Sequence, residues 1–362
     1  MSWILAFGGF AMLIVLHELG HFAAAKAVGM RVERFSLFFG RTPLNFRRGE
    51  TEYGVGWLPL GGFVKITGMN PHEEISAEAA PRAYFRQPVW KRLVVISAGP
   101  AVNIVLAFVI LMGLYWFSIG DPREAKPTDR IEQITPKSPA SEVLQEGDRI
   151  IAVDGRRGDP DALRKQIATH KCAGAEKRDG CVAATPVTID LLRGGEQRTI
   201  EARPVYSAES KRPLLGFAFD TTRPAVGPVT AARLSVDQMW FFTRGTVETI
   251  AQIFKAEKRK EISGVVGSYE VTRQSIQLGV QEGFFLLAVI SLSLGVINLF
   301  PFLPLDGGHI FWALAEKVRG RPIAFSVMEK AGFVGFALVI GLFFIGFTND
   351  IGRLTGEGFD VR

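Results

Sequence analysis

Four long apolar runs restrict what this 362-residue chain can fold into. The first is Trp3 to Val28, interrupted by His17, Glu18 and His21 before Lys26. The second, Leu93 to Ile119, and the third, Phe284 to Leu305, carry no charge. The fourth is Ala331 to Phe347, with Phe325 to Met328 just upstream. About 20 apolar residues cross the hydrocarbon core as a helix, so four spans are expected. The short fourth run could instead be a buried or re-entrant helix. With 48% apolar residues and 28 Phe, the chain is not disordered. Clustering of those residues into runs argues against an ordinary soluble enzyme. The formal charge is +6. In a soluble chain that would suggest nucleic acid. Here it reads as Lys and Arg kept on the cytoplasmic side, so the expected partner is the lipid bilayer and no nucleic acid.

Orientation follows the basic residues of the short loops. Between the first two runs stand Arg31, Arg34, Arg41, Arg47, Arg48, Lys65, Arg82, Arg86, Lys91 and Arg92. The link after the third run has Lys317, Arg319 and Arg321, and the tail only Arg353 and Arg362. Both termini and the long segment from Gly120 to Gly283 are therefore expected outside the cytoplasm. The first run lacks a basic leader and carries ionisable residues in its middle. It is expected to stay as a membrane helix rather than be cleaved as a signal peptide. Cys172 and Cys181, the only two cysteines, fall in the outer segment. In an oxidising compartment they can pair across a short loop; the alternative is two free thiols.

The chemistry lies inside the first run, in His17-Glu18-Leu19-Gly20-His21. Histidines at i and i+4 share a helical face and can hold one Zn²⁺. Glu18 beside them can take a proton from a water activated by that metal. Ionisable groups in an apolar run cost several kcal/mol each unless paired or metal-bound. The alternative is a His/Glu network that packs helices or relays protons, as in a transporter. Two histidines leave zinc short of a protein ligand. The third run ends in Asn298-Leu-Phe-Pro301-Phe-Leu-Pro304-Leu305-Asp306-Gly307-Gly308-His309. Its prolines break the helix, and non-helical backbone at that depth must be shielded or line a wet cavity. Asp306 follows directly and is the candidate third ligand, with His309 competing. Asn298 can donate to substrate or to an oxyanion, or make an interhelical amide bond. In the second run, Gly99-Pro100 allows close helix approach, and Asn103 can hydrogen-bond across the contact.

The membrane HExxH, the later Asn-x-x-Pro…Leu-Asp-Gly and the Gly-Pro…Asn of the second run together resemble the site-2 proteases. These are intramembrane zinc metalloproteases, and the likeness is closest to the bacterial RseP-type regulators. It extends over nearly the whole chain. The resemblance implies His17, His21 and Asp306 as zinc ligands and Glu18 as catalytic acid/base. It implies substrates that are single-pass membrane proteins already trimmed on the outer side, such as anti-sigma factors and remnant signal peptides. It also implies a bacterial inner membrane location, with the outer side periplasmic.

Two accessory regions follow. In Tyr53 to Ile66, β-prone runs flank Pro59 to Gly62, which reads as strand, turn, strand; Val32 to Phe39 can add another strand. The resembling family has a membrane-associated β-hairpin with a Pro-x-Gly-Gly turn here. Its edge could capture unwound substrate by strand addition, or it is a plain cytoplasmic hairpin. From about Pro122 to Asp220 the pattern is that of a soluble α/β module. Its Pro-Ala…Leu-x-x-Gly-Asp-x-Ile…Val-Asp-Gly series resembles a circularly permuted bacterial PDZ domain. Such a domain binds a peptide through a loop placed at Leu214 to Phe219, around Gly216, or acts as a spacer or size filter. Val236, Met239, Trp240, Thr243, Val247, Ile250 and Phe254 then recur at helical spacing before Lys255, Lys258, Arg259 and Lys260. This fits an amphipathic helix at the interface or packed on the protein. Ile262 to Gly267 resembles a family stretch that usually has Gly-Pro where this chain has Gly264-Val265.

The expected fold is an α-helical integral membrane protein. It has four transmembrane helices, a membrane-associated β-hairpin and one extracytoplasmic α/β PDZ-like domain. The segments are 1–30 (first span), 31–92 (hairpin and linker), 93–120 (second span), 121–222 (PDZ-like) and 223–282 (amphipathic region). Then come 283–306 (third span), 307–324 (cytoplasmic link), 325–348 (fourth span) and 349–362 (tail). Candidate substrate contacts are Gly61, Gly62, Asn103 and Gly216. A transporter would need ionisable residues on several spans, and a PDZ-bearing scaffold would not need Glu18 beside two histidines. Both fit less well than a zinc endopeptidase.

Overall fold

A computed structural model describes residues 2–69, 73–172, 178–208, 210–252, 255 and 264–356. The chain divides into two compact units, Met1–Ile119 with Val226–Arg362, and Gly120–Ala225.

The first unit is built on helices α1 (Ser2–Ala27), α2 (Val89–Leu114), α5 (Pro228–Ala251), α6 (Val265–Leu278), α7 (Val280–Asn298), α8 (Asp306–Arg319) and α9 (Phe325–Thr355). Four of these, α1, α2, α7 and α9, are long and apolar enough to cross a membrane. Glycines set how closely they pack. A Cβ on Gly20 of α1 would come within 2.7 Å of the Ala98 carbonyl of α2. One on Gly295 of α7 would come within 3.0 Å of the Pro100 carbonyl. Small residues at such crossings let backbones approach where side chains would hold them apart. Leu111, Tyr115, Ala231, Leu234 and Ala288 then join α2, α5 and α7 in one buried cluster. The third run stops being helical at Asn298, seven residues before the end of its apolar stretch. Pro301 and Pro304 interrupt it, and a new helix, α8, opens at Asp306. The link expected over 307–324 is therefore largely helical. Of the amphipathic segment, α5 carries Val236 to Ile250, whereas Phe254, Lys258, Arg259, Lys260, Ile262 and Ser263 lie outside the described residues.

Between α1 and α2 runs a four-stranded mixed sheet of β1 (Val32–Phe39), β2 (Leu44–Arg48), β3 (Thr51–Val55) and β4 (Leu58–Ile66), in the order β2-β3-β1-β4. This corrects the expected strand–turn–strand. Pro59 to Gly62 lies inside β4, and β3 and β4 both pair with β1 instead of with each other. Phe39 faces Leu58 while Leu37 faces Gly62, so two steps along β1 oppose four along β4. The Pro-x-Gly-Gly segment is thus a bulge, not a turn. Pro59 is tolerated because β4 is an edge strand, and Gly61 takes a φ of 149° that side chains disfavour. Phe22 of α1 packs edge-on against Phe35 and Tyr53, which holds the sheet to the helix.

The second unit is a five-stranded antiparallel sheet in the order β11-β5-β6-β7-β8. Its strands are β5 (Lys126–Ile134), β6 (Arg149–Val153), β7 (Val187–Arg193), β8 (Glu196–Ala202) and β11 (Phe217–Thr222). The short pair β9 (Val205–Ser207) and β10 (Arg212–Leu214) and helices α3 (Pro139–Val143) and α4 (Pro160–Ile167) complete it. Ile131, Ile150, Leu163, Ile189 and Leu191 form its core. Alternation is visible in β7, where Val187, Ile189 and Leu191 are buried and the residues between them are not. Asp159 caps α4 by accepting from the Ala162 N–H at 2.7 Å. Cys172 and Cys181 are joined by a disulfide.

Where α1 ends, a charge cluster ties helix to sheet. Glu50, in the β2–β3 turn, accepts from Nη1 and Nη2 of Arg82 (2.7 and 2.8 Å) and from Lys26 at 2.7 Å. Arg82 also donates to the Gly29 carbonyl at 3.0 Å. The Arg82 hydrogen bonds, then the Lys26 bond, hold the Glu50 carboxyl down to about 2. A lowered acid contributes stability above its unfolded value, about 4.3, and loses it as pH falls toward the folded one. The difference in melting temperature between wild type and Glu50→Gln in detergent should therefore be full at pH 6. It should close progressively between about pH 4.3 and pH 2.

A candidate metal centre between α1, α2 and α8

His17 and His21 stand one turn apart on α1, and both are buried. Asp306, the first residue of α8, reaches them from the far end of the sequence. Its Oδ2 lies 3.2 Å from the Nε2 of His17 and 3.2 Å from the Nε2 of His21, and the two Nε2 atoms are 3.3 Å apart. Three potential ligand atoms thus form a nearly equilateral triangle. A tetrahedral zinc with bonds of about 2.0–2.1 Å separates its ligand atoms by about 3.3–3.4 Å. The triangle matches one face of that tetrahedron. Asp306 Oδ2 is buried and yet meets no donor in hydrogen-bonding geometry among the described residues. Its lone pairs, with those of two imidazole nitrogens, suit a cation in a way they suit no neighbouring side chain. Among the described residues this is the one group of three or more His, Cys, Asp or Glu that could hold a metal.

The neighbours orient these side chains. His21 Nδ1 donates to the Val95 carbonyl of α2 at 2.8 Å. That bond assigns the proton to Nδ1 and leaves the Nε2 lone pair facing the triangle. Four residues on, Gly99 lies directly under the His21 ring, where any Cβ would overlap the imidazole. Pro100 follows and has no N–H for the Ile96 carbonyl, so α2 has a gap in its ladder beside the site. Glu18 packs against the sheet. A Cβ on Gly62 would come within 3.0 Å of Glu18 Cγ and equally close to the Ser36 carbonyl. The β4 bulge therefore sits beside Glu18, which follows His17 in the chain.

The sequence matches peptidase family M50 over residues 5–342. The chain belongs to that family. The M50 peptidases are the site-2 proteases, and this member is a membrane-embedded zinc metalloprotease of that type. It is 32% identical to zinc metalloprotease Rip1 of Mycolicibacterium smegmatis, across 93% of this chain and 94% of the relative. It is 31% identical to zinc metalloprotease Rip1 of Mycobacterium tuberculosis, with the same coverage. Among solved structures, part of the chain is similar to the PDZ domain of an SdrC-like protein from Listeria monocytogenes. That match has 17% identity and a TM-score of 0.21, and covers 26% of this chain and 87% of that one.

Within the M50 chain, the remaining site candidates fall in different surroundings. Asn298 is half-buried and its Nδ2 donates to the Leu294 carbonyl of its own helix at 3.0 Å. No hydrogen bond ties it to the triangle. Asn103 is fully buried and neither side-chain polar atom finds a partner among the described residues, while its backbone carbonyl accepts from Ser291 at 2.9 Å. His309 is half-buried one turn into α8 and is not in the triangle. Gly216 belongs to the second unit, at a φ of 83°, where its carbonyl accepts from the Thr135 N–H and the Ser138 hydroxyl. From the sequence Gly99 reads as helix packing, whereas in the structure it shapes the seat of the His21 ring. The only signal was a Gly-Pro pair in the middle of an apolar helix.

Replacing Gly99 by Ala should lower zinc affinity at least about tenfold, as loss of a ligand-orienting contact does. Gly113→Ala, on the same helix with nothing within 4 Å, should leave it unchanged. Competition of the purified protein against a fluorescent zinc chelator checks both.

Proposed function

We propose that the chain is an intramembrane endopeptidase that holds zinc through His17, His21 and Asp306 and uses Glu18 as its acid/base group. The observation that carries this reading is the triangle of Nε2, Nε2 and Oδ2 with sides of 3.2–3.3 Å. When bound, zinc supplies Lewis acidity, which lowers the pKa of a water to about 7 and polarises a carbonyl. The protein's own groups do the rest. His21, fixed through Nδ1, offers a neutral nitrogen, and Asp306 brings the compensating negative charge. Glu18 takes the proton of the attacking water and returns it to the leaving amine. Apolar helices around the site exclude bulk water.

The substrates on this reading are transmembrane segments of single-pass proteins already trimmed on the outer side, such as anti-sigma factors and remnant signal peptides. A membrane helix hides its peptide bonds in its own hydrogen bonds, so it must unwind to be cut. β4 supports that step. It is an edge strand, and it runs past Glu18 at Gly62. An unwound segment could add to it as a further strand, with Gly61 and Gly62 keeping the approach open. Asn298, half-buried, would donate to substrate backbone or to the oxyanion on leaving its bond to Leu294, and the buried Asn103 would do so only once the helices part. The basic residues between Gly29 and Arg92 support a bacterial inner-membrane orientation with both termini and the 121–222 domain periplasmic. That domain, read as PDZ-like, would screen substrates by size or bind a peptide near Gly216.

Glu18→Gln should keep wild-type zinc content and lose cleavage of a model transmembrane substrate by about 10²–10⁴-fold. Asp306→Asn should lose zinc and activity together. Metal analysis of detergent-purified protein and a gel-based cleavage assay check both; undiminished cleavage by Glu18→Gln overturns the reading.

A further inference from the structure

A second link joins the two halves of the site. Arg92, near the start of α2, is 8% exposed, and its guanidinium meets Glu316 fork to fork. Nη1 donates to Oε2 at 2.9 Å and Nη2 to Oε1 at 2.6 Å, across 224 positions of sequence. Glu316 stands on α8, the helix that opens with Asp306. Arg92 stands one turn before Val95, whose carbonyl holds the His21 ring, and two turns before Gly99 beneath that ring. One helix therefore grips His21 through its backbone and the carboxylate-bearing helix through a side chain.

Apolar packing holds only part of α8. It has 14 residues, those it fully buries are the small Gly307, Gly308 and Ala313, and Ile310, half-buried, packs against the cluster that contains Met30, Ile66 and Val95. Its first turn is seated by close backbone contact with the Leu299–Leu303 segment. Glu316 lies ten residues beyond Asp306, about 15 Å along the helix. A tilt of about 5° over that length displaces one end of α8 against the other by about 1.3 Å. Metal–ligand distances tolerate about 0.2 Å.

We infer that Arg92 and Glu316 are positioning residues for the metal centre. Their ion pair locks α8 to the helix that also orients His21, and so keeps the Asp306 carboxylate at ligating distance. The inference rests on reading His17, His21 and Asp306 as the ligand set. Arginine suits the task because its planar fork makes two parallel bonds that resist rotation. A lysine ammonium would keep the charge but pivot.

The test is the zinc affinity of the full chain in detergent, by chelator competition, with the melting temperature of the metal-free protein measured alongside. Arg92→Lys and Glu316→Gln are each expected to weaken zinc binding about tenfold or more. Metal-free melting should shift little, and the exchanged pair Arg92→Glu/Glu316→Arg should recover most of the affinity. Wild-type affinity in both single variants overturns the inference. So does a double variant no better than the singles, or an affinity loss matched by an equal loss of metal-free stability. If Glu316→Gln does not purify as a folded protein, Arg92→Lys and the exchanged pair decide by the same criteria. Asp306→Asn separates the two readings. If it binds zinc like wild type, the ligand set is wrong. If it loses zinc while Arg92→Lys and Glu316→Gln keep it, only the clamp fails.

Discussion

Two imidazoles and a carboxylate converging among apolar helices leave lone pairs that water cannot reach, and the first unit is organised around that cost. A cation at the triangle offsets it. His17 and His21 come to the triangle where α1 and α2 run close together, at Gly20 and Gly99, and Gly295 sets a similar approach of α7 to α2. α2 is the common reference. It touches α1 through Gly99 and Val95, α7 through Asn103, and α8 through Arg92. None of its own side chains belongs to the triangle, yet its displacement would disturb both halves of it.

The sheet answers a different demand. A residue in the role read for Glu18 needs one side open to substrate and the other held. The held side is the β4 bulge. Building it takes local conformations that regular strands avoid: Gly61 at a φ of 149° and Phe38, a bulky residue, at 67°. Phe22, Phe35 and Tyr53 anchor the sheet on α1, and the Lys26–Glu50–Arg82 cluster fastens its outer hairpin.

The apolar helices were legible because an uncharged run of some twenty residues has few alternatives. His17, Glu18 and His21 were legible because helical spacing alone puts the two histidines on one face. Asp306 stood out as an acid directly after two prolines at the end of such a run. What escaped reading was long-range. Pro59 to Gly62 has turn composition, and only pairing with β1 makes it a bulge inside an edge strand. The parallel β1–β3 pairing leaves no periodic trace. α8 is too short and mixed to declare itself. Arg92 and Glu316 look like ordinary charges flanking a span, and nothing local connects them. Gly99 reads as one more small residue until the ring above it is known.

The far end of α9 carries one more contact with reach. Asp350 is fully buried, and its carboxylate accepts from the Gly264 N–H at 3.1 Å and the Gly267 N–H at 2.7 Å. It thus caps the start of α6 from another helix, the work usually done by a residue just ahead in the chain. The glycine at 264 is what admits it, since a methyl group there would collide with the carboxylate. The last helix is consequently more than a lipid-facing wall. A chain cut short before residue 350 would leave α6 with its leading amides bare, and the loss would be felt at a segment more than eighty residues upstream.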